Sequence, residues 1–313
     1  MSSRVLVTGG AGFIGSHLVD RLVREGRDVV VFDNLSTGRR ENLDEATESI
    51  EFVEGDLRNL AAVQSAAAGV EVIFHQAALP SVPRSIDAPG DSHDVNATGT
   101  LNVLIAARDA GVRRVVYASS SSVYGNTPDL PKREDMPTSP LSPYAVSKLT
   151  AELYCRVFTH VYALETVSLR YFNVFGPRQR PDSQYAAVIP RFARALLDGE
   201  SPRIFGDGEQ TRCFAFVENV VDANVRAAES PDASGEVINI AGQERISIND
   251  LERALRDLVS ECGAPPAIHE GPRPGDVRHS YADLSKARKL LGYEAGTPVR
   301  EGLRRALDWL TDQ

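Results

Sequence analysis

The chain has 313 residues, 42% of them hydrophobic and 25% charged, with a mean hydropathy of −0.22. This composition is ordinary for a globular protein and argues against wholesale disorder. The 34 basic and 43 acidic residues give a net charge of −9, which disfavours nucleic acid and anionic membranes as main partners. The apolar runs fall far short of the ~20 residues that a membrane helix needs, and no signal-peptide pattern precedes the first strand pattern. We therefore expect a cytoplasmic protein.

Short β-rich runs alternate with amphipathic helical patterns through the first 170 residues. The strand patterns lie at 4–8, 28–33, 50–54, 70–75, 113–118 and 164–170, and the helical patterns at 13–25, 59–67, 94–110 and 144–162. Strands that alternate with helices form βαβ units, in which helices cover both faces of a mostly parallel sheet. The sequence therefore predicts an α/β fold with a doubly wound parallel sheet of the Rossmann type.

The regular alternation of strand and helix patterns ends after about residue 172, where prolines and turn residues interrupt shorter elements. Helical patterns return at 247–261, 283–291 and 298–311, and the strand-like run Val237–Ile240 could rejoin the first sheet. We expect a dinucleotide-binding domain over 1–172, rejoined by about 213–241. A smaller, interleaved C-terminal α/β domain over 173–313 would bind the substrate.

The cysteines carry no recognisable motif. Cys155, Cys213 and Cys262 are odd in number and widely spaced. Neither a disulfide framework nor a CxxC metal site has this pattern. We expect unpaired thiols in a reducing compartment, and no metal site.

A glycine-rich turn, TGGAGFIG at 8–15, follows the first strand pattern directly. Gly10, Gly12 and Gly15 match the spacing GxGxxG, and Gly9, Gly12 and Gly15 match GxxGxxG. Glycines at these places permit a tight turn, a close approach of the backbone to a pyrophosphate, and close packing of helix on strand. The N-terminus of the following helix supplies N–H groups and the positive end of the helix dipole. A dinucleotide phosphate site is therefore predicted here.

The second strand pattern ends in an acid, Asp33, 18 residues after Gly15. A carboxylate at this place accepts hydrogen bonds from the adenosine ribose of NAD and repels the 2′-phosphate of NADP. Arg39 and Arg40 keep NADP as an alternative, but Asp33 favours NAD. A second acid, Asp56, follows the third strand pattern, where the adenine edge would lie.

Tyr144 and Lys148 stand four residues apart in SPYAVSK at 142–148, where the proline suits the first turn of a helix. One helix face then carries both the phenol and the ammonium. The ammonium and a positively charged nicotinamide ring favour the phenolate, which makes a tyrosine into a base. Because the chain has only four lysines, this spacing is informative.

Four consecutive serines, residues 119–122, follow the strand pattern at 113–118. Ligands of open α/β sheets bind at the carboxyl ends of the strands, so we expect these hydroxyls at the same site. A serine hydroxyl can donate to a substrate oxygen while it accepts from a tyrosine. A Ser-Tyr-Lys set beside a dinucleotide suits hydride transfer between alcohol and ketone, whereas the GxSxG turn of acyl transfer is missing from the sequence.

Together these motifs resemble those of the extended short-chain dehydrogenases/reductases, and among them the UDP-hexose 4-epimerases. The resemblance covers essentially the whole chain, through TGGAGFIGSHLVDRL, FDNLSTG, GDLRN, HQAA, NATGTLNVL, SSSSVYG, SPYAVSK, LRYFNVFGPR and PGDVRHSYAD. Related nucleotide-sugar 4,6-dehydratases carry Asp-Glu after the catalytic hydroxyl. Ser121 and Ser122 stand there in this sequence, so dehydration is not expected.

The resemblance implies NAD-dependent 4-epimerisation of a UDP-hexose through a transient 4-keto sugar, with NAD bound tightly throughout. Tyr144 would remove the O4 proton, and Lys148 would hold the nicotinamide ribose and lower the pKa of the phenol. Ser120 would hydrogen-bond O4, with Ser119 and Ser121 as the alternatives if the register slips. The cofactor site implied by the resemblance comprises Gly9, Gly12, Phe13, Ile14, Gly15, Asp33, Asn34, Gly38, Asp56, Leu57, His75, Ala77, Ala78, Asn96, Ser119, Tyr144, Lys148 and Tyr171.

The resemblance also implies a UDP-sugar site. It comprises Ser120, Tyr144, Asn173, Ala187, Val188, Phe205, Arg212, Arg273, Asp276 and Ser280. Arginine suits the diphosphate, Asp276 would accept from the uridine ribose, and Phe205 would flank the uracil. Epimerases confined to UDP-glucose and UDP-galactose tend to carry tyrosine where Ser280 stands. The small side chain leaves room for an N-acetyl group, so UDP-N-acetylglucosamine and UDP-N-acetylgalactosamine are expected to be accepted too.

Three alternatives stay open. A UDP-glucuronate epimerase or decarboxylase shares the Ser-Tyr-Lys set and needs a cation or hydroxyl for C6. A net NAD-dependent nucleotide-sugar dehydrogenase or reductase would release its cofactor at each turnover. A non-catalytic NAD-sensing regulatory protein would keep the glycines but would not need Tyr144 and Lys148.

A homodimer is the last expectation from the resemblance. Helices near 98–110 and 144–162 would pair with their copies in a four-helix interface. The apolar positions that fit either this interface or the intrachain core are Leu101, Leu104, Leu149, Leu153 and Val157.

Overall fold

Seven strands form the central parallel sheet of the protein. The structure is a computed structural model that describes residues 3–181, 187–259, 263–271 and 278–313. The strands of these ranges are β1 Arg4–Thr8, β2 Asp28–Asp33, β3 Ile50–Glu54, β4 Val72–His75, β5 Arg114–Ser120, β6 Glu165–Tyr171, β7 Val174–Phe175, β8 Arg203–Phe205, β9 Thr211–Cys213, β10 Ala215–Phe216, β11 Val237–Ile240, β12 Arg245–Ser247, β13 Ile268–Glu270 and β14 His279–Ser280. The sheet order is β3-β2-β1-β4-β5-β6-β11, with every neighbouring pair parallel. The predicted doubly wound α/β sheet is confirmed.

Helices cover both faces of this sheet. They are α1 Phe13–Arg24, α2 Leu60–Ala66, α3 Val82–Asp87, α4 Pro89–His93, α5 Gly99–Asp109, α6 Pro143–Tyr162, α7 Val188–Leu197, α8 Val217–Glu229, α9 Ile248–Leu258, α10 Ser285–Leu291 and α11 Val299–Thr311, with a π-helical turn at Asp94–Thr98 and 3-10 segments at Arg40–Ser49, Ser121–Tyr124 and Pro231–Ala233. Strand side chains alternate between two apolar cores: Val5 and Val7 pack into one, and Leu6 into the other. Both faces of the central strands are therefore buried, as their nearly continuous apolar sequence requires.

The later part of the chain forms a third apolar core between α7, α9 and α11, to which Phe192, Leu251 and Leu303 belong. Short strand pairs accompany it: β9 pairs with β12 and β14, β8 with β13, and β7 with β10. The predicted return of Val237–Ile240 to the large sheet is confirmed, because β11 pairs along β6. The sequence prediction missed α7 and α8, whose apolar spacing lies among prolines and turn residues. The domain boundary at residue 172 stays a prediction.

The helices within the described ranges are all too short or too polar to cross a membrane. Cys155 and Cys213 are buried free thiols, and Cys262 lies outside the described residues. The described residues contain no group of three or more His, Cys, Asp or Glu side chains placed to hold a metal ion.

Helix α6 is fixed to the sheet by a buried ion pair. Its N-terminus is capped by Ser142, whose side chain accepts a hydrogen bond from the Ala145 N–H at 3.1 Å. Two turns further, Glu152 accepts two hydrogen bonds from Arg170 of β6, at 2.9 and 2.6 Å, and both side chains are less than 5% exposed. The Ser119 hydroxyl at the end of β5 donates to the same carboxylate at 2.8 Å. One carboxylate thus holds α6 against two neighbouring strands.

Removing one partner of this pair is expected to destabilise the protein strongly. Arg170→Met leaves the Glu152 carboxylate buried without its cation, which should lower the free energy of unfolding by about 3–5 kcal/mol. The matched control is Arg194→Met, which breaks an exposed i,i+4 pair with Asp198 and should cost at most about 1 kcal/mol. Urea denaturation at pH 7 measures both. Equal losses in the two variants would contradict the role given to the buried pair.

Candidate active site

A cavity of about 220 Å³ lies at the carboxyl ends of the central strands. This is where open α/β sheets bind their ligands. The residues of the expected cofactor site that line it are Gly9, Gly12, Phe13, Ile14, Gly15, Asp33, Asn34, Asp56, Leu57, Ala77, Ala78, Ser119, Tyr144, Lys148 and Tyr171. Most of the expected cofactor residues are thus brought together at one place, from segments that are far apart in the chain.

The glycine turn leaves no space for side chains. Gly9 has φ +69°, and a Cβ there would lie 2.6 Å from the backbone of Ala77, while a Cβ on Gly15 would lie 2.1 Å from the Gly9 carbonyl oxygen. Gly12 is the N-cap of α1 and has no side chain that could accept from the N–H groups of the first turn. Backbone N–H groups and the positive end of the helix dipole are therefore directed at the cavity, and this cradle fits a dinucleotide diphosphate.

Asp33 ends β2 at the edge of the cavity, where it is almost completely buried. Its carboxylate accepts hydrogen bonds from the N–H groups of Ala11, at 3.0 Å, and Leu35, at 2.8 Å. Burial raises the pKa of this carboxyl, and the backbone donors oppose that shift. The carboxylate is thus held rigidly beside the glycine turn, as the ribose hydroxyls of NAD require.

Asp56 lies further along the same cavity and is paired with a cation. Arg58 binds its carboxylate at 2.7 Å, and the Asn34 amide donates to it at 3.1 Å. The Arg58 hydrogen bond is the main reason why the pKa of Asp56 falls to about 2. Asp56 is therefore ionised at neutral pH and lines the region expected for adenine.

Three expected cofactor residues, Gly38, His75 and Asn96, lie behind the cavity wall instead of lining it. Gly38 packs on Ala11, where a Cβ would lie 2.8 Å from the backbone. The buried Asn96 side chain binds both backbone groups of Leu79, accepting at 2.7 Å and donating at 3.2 Å. These residues shape the wall from outside, a role that sequence position alone did not distinguish from direct contact.

His75 joins two strands and a helix through one buried ring. Its Nδ1 lies 2.6 Å from the Thr8 hydroxyl, and its Nε2 lies 2.9 Å from the Thr100 hydroxyl. Because the Thr100 hydroxyl donates to the Asn96 carbonyl at 2.6 Å, it accepts from His75, whose proton is then on Nε2. Burial lowers the pKa of His75 to about 3, so the ring is neutral.

Tyr144 and Lys148 project from α6 toward the same cavity. The Lys148 ammonium donates to the Ala118 carbonyl at 2.8 Å, and burial lowers its pKa to about 7. Burial raises the pKa of Tyr144, whereas a hydrogen bond with Ser120 acts in the opposite direction. Of the serines that the sequence left as alternatives, Ser119 turns to Glu152 and Ser120 reaches Tyr144.

A second cavity, of about 610 Å³, adjoins the first, and Tyr171 lines both. The expected substrate residues that line the second cavity are Ser120, Asn173, Ala187, Val188, Phe205, Arg212 and Ser280. Arg273 and Asp276 lie outside the described residues. The second cavity also contains side chains that the sequence did not indicate, including Ser122, Lys132, Arg191 and Gln210.

The junction of the two cavities is held by a polar network that sequence reasoning missed. The Asn224 amide of α8 donates to the Tyr171 hydroxyl at 2.8 Å, and Gln76 donates to Asn224 at 2.9 Å. Gln76 follows β4 directly, so its position at a strand end was a usable signal. Asn224 lies on a helix that was not predicted, and only the fold brings it to Tyr171.

A dinucleotide-binding sheet with a tyrosine, a lysine and a serine at its carboxyl edge defines a class of NAD-dependent enzymes that act on alcohols. The chain belongs to the NAD dependent epimerase/dehydratase family, which it matches over residues 5–241. NAD is the cofactor of this family, and the glycine cradle and Asp33 fit it. The resemblance to extended short-chain dehydrogenases/reductases is confirmed.

Relatives of known activity match the chain over its whole length. The UDP-glucose 4-epimerase of Mycolicibacterium smegmatis is 43% identical over 99% of both chains. The solved UDP-N-acetylglucosamine 4-epimerase of Methanobrevibacter ruminantium M1, in complex with UDP-N-acetylmuramic acid, is 40% identical over 100% of both chains, with a TM-score of 0.94. The UDP-glucuronate 4-epimerase of Thermodesulfobacterium geofontis is 35% identical over 97% of this chain and 95% of its own. The chain is thus an enzyme of the UDP-sugar epimerase family, whose members differ in their sugar.

Proposed function

We propose that the protein interconverts the C4 epimers of a UDP-hexose, with Tyr144, Ser120 and Lys148 as its catalytic residues. The observation that carries this proposal is the meeting of Tyr144, Lys148 and Ser120 where the two cavities adjoin, with Ser120 near enough to the phenol to lower its pKa. A sugar in the larger cavity would there present a carbinol carbon to a dinucleotide in the smaller one. NAD supplies the acceptor and later the donor of the hydride at C4.

The protein residues would move the proton and hold the sugar. Tyr144 takes the O4 proton as the C4–H bond breaks, and returns it when the 4-keto sugar is reduced on its other face. Ser120 donates a hydrogen bond to O4 and steadies its developing negative charge. Lys148 is anchored through the Ala118 carbonyl at 2.8 Å and stabilises the Tyr144 phenolate by its charge.

Epimerisation also needs a firmly held nucleotide and a sugar that can turn over. Arg212 and Phe205 lie on the short strands of the larger cavity, and Asn173 follows β6. Arginine and amide groups suit the diphosphate, and an aromatic ring suits the uracil. Toward Tyr144 the wall carries Ser120 and Ser122, whose small side chains leave space for the keto sugar to rotate.

Loss of the phenol should abolish turnover and leave the cofactor bound. Anaerobic incubation of the protein with UDP-N-acetylglucosamine and no added NAD should yield UDP-N-acetylgalactosamine. NMR of the anomeric protons measures this conversion. Tyr144→Phe should lower this rate by roughly 10²–10⁴-fold, because the phenol that takes the O4 proton is removed. Tyr154→Phe, the same change at an exposed position of α6, is the control.

The assay also separates the alternatives. Conversion of UDP-glucose alone would keep the mechanism and refute acceptance of N-acetylated sugars. Silence with both substrates, even with NAD supplied, would overturn the proposed function in favour of a uronate substrate or a net oxidoreductase. Turnover by Tyr144→Phe at the rate of the parent protein would refute the role of Tyr144 as the base.

We further propose that the N-acetylated pair is a substrate. Ser280 lies on β14, paired beside Arg212 of β9, and lines the larger cavity. A serine at this wall presents only a hydroxymethyl group to the bound sugar, and it therefore lacks the steric barrier with which a large side chain rejects a bulky C2 substituent.

Restoring bulk at this position should change the substrate preference. Ser280→Tyr should lower kcat/KM for UDP-N-acetylglucosamine by roughly tenfold or more relative to UDP-glucose. Ser280→Ala keeps the wall small and should retain the parent ratio. The ratio is measured by competition of the two substrates in one tube. An unchanged ratio in Ser280→Tyr would sink this assignment.

The cations of the larger cavity bear on the choice between a neutral hexose and a uronate. The cations that line the larger cavity within the described residues are Lys132, Arg191, Arg203 and Arg212. Lys132 donates to the Thr127 carbonyl and hydroxyl and, at 2.9 Å, to the Asp129 carbonyl, which uses its three protons. Arg203 is paired with Glu270 at 2.7 Å. Lys132 and Arg203 are thus engaged within the protein, so neither is available to the C6 carboxylate of a uronate.

We also propose that the protein is a homodimer through α6. Val146, Leu153, Val157 and Val161 share one face of this helix and are 47–60% exposed. Leu104 lies in the intrachain core, and Leu101 and Leu149 are half-buried. A row of exposed valine and leucine side chains on one helix is typical of a contact surface.

Charges on this face should separate the subunits. Leu153→Glu with Val157→Glu should halve the particle mass measured by light scattering at micromolar concentration, because two carboxylates would have to be buried in the interface. Ile268→Glu, at an equally exposed apolar residue of β13, should leave the mass unchanged. A parent protein that is monomeric at all concentrations would contradict the dimer.

A further inference from the structure

Ser122 lies two residues after Ser120, and its side chain lines the larger cavity. Ser120 begins the 3-10 segment Ser121–Tyr124 and caps it with its own hydroxyl. The Ser120 Oγ accepts one hydrogen bond from the Ser122 N–H, at 3.2 Å, and a second from the Ser122 hydroxyl, at 2.9 Å. Both bonds come from one residue, whose hydroxyl takes no other part in the proposed reaction.

The two hydrogen bonds that the Ser120 oxygen accepts determine where the Ser120 hydroxyl can donate its own proton. A serine hydroxyl has one proton to donate and two lone pairs to accept with. Ser122 occupies both lone pairs, so the remaining contact of Ser120, with Tyr144, is one in which Ser120 donates. A donor directed at the phenol oxygen stabilises the phenolate over the phenol.

We propose that Ser122 is a positioning residue, whose hydroxyl fixes the Ser120 hydroxyl in the orientation that donates to Tyr144 before the sugar binds and to the sugar O4 once it has bound. This rests on the proposed function of the same site. Without the Ser122 hydroxyl, one lone pair of Ser120 becomes available to the Tyr144 proton. Ser120 can then accept from the neutral Tyr144 phenol. This hydrogen bond stabilises the protonated form of Tyr144, which cannot act as a base.

Other titratable groups near Tyr144 do not depend on Ser122. Lys148 lies one turn further along α6, Tyr117 belongs to β5, and Tyr171 ends β6. Tyr117 and Tyr171 are buried, and burial raises the pKa of each phenol. Because a change at Ser122 leaves these three groups in place, a shift in the titration of Tyr144 would report on Ser120.

The test uses the full chain with NAD bound and two variants of nearly equal shape. Ser122→Thr keeps the hydroxyl, and Ser122→Val replaces it by a methyl group. Tyr144 is titrated by its tyrosinate absorbance, as the difference between each variant and the same variant carrying Tyr144→Phe. Ser230→Ala is the control, because this hydroxyl also makes one hydrogen bond, to the Leu290 carbonyl at 2.7 Å, outside both cavities.

The proposal predicts a rise of about one unit in the Tyr144 midpoint for Ser122→Val and Ser122→Ala, with Ser122→Thr and Ser230→Ala at the parent value. The pH at which kcat/KM is half-maximal should rise by the same amount, because kcat/KM reports the enzyme before the sugar binds. Below that pH the phenolate fraction, and with it kcat/KM, would be about tenfold lower.

An unchanged Tyr144 midpoint in Ser122→Val, with only KM raised, would overturn the proposal and leave Ser122 as a sugar contact. A rise that Ser122→Thr shares would overturn it too, because shape rather than the hydroxyl would then be the cause. The titration does not need turnover. If no UDP-hexose is converted but the midpoint still shifts, the proposed function fails and the role of Ser122 toward Tyr144 stands.

Discussion

The position of α6 against the sheet is the constraint on which the active site depends. Tyr144, Lys148 and Glu152 follow one another at intervals of four and therefore share a helix face. Glu152 is held by Arg170 of β6 and by Ser119 of β5. A buried ion pair repays its desolvation only in good geometry, so this contact fixes the depth of the helix. Lys148 then reaches the Ala118 carbonyl, and Tyr144 lies beside Ser120.

The same strand end thus serves two purposes with adjacent residues. Side chains alternate along β5, so Ser119 and Ser120 point in opposite directions. Ser119 binds the carboxylate that anchors the helix, and Ser120 faces the phenol that the helix carries. The 3-10 segment that follows returns Ser122 to Ser120. The contact that anchors the helix and the contacts around Ser120 thus lie within four consecutive residues, 119–122.

The two cavities meet where the large sheet and the later part of the chain come together. Asn173 follows β6, and its φ of +40° turns the chain out of the sheet. The loop after it reaches back to α1. Arg178 in that loop binds Asp20 of α1 at 2.7 Å, with both side chains largely buried. Helix α1, which begins at the glycine turn, is thereby tied to the segment that follows the large sheet.

The sequence by itself determined the parallel sheet, the glycine turn, Asp33 and the Tyr144–Lys148 pair. Each of these depends on neighbours within a few residues or on a local repeat of apolar side chains. Only the tertiary structure showed that Ser119 is bound by Glu152 while Ser120 lies toward Tyr144, because both contacts join β5 to the distant helix α6. It also placed His75 and Asn96 behind the wall and brought Asn224 to Tyr171. These contacts join residues 17 to 67 positions apart in sequence. Such contacts follow from packing, which no short stretch of sequence specifies.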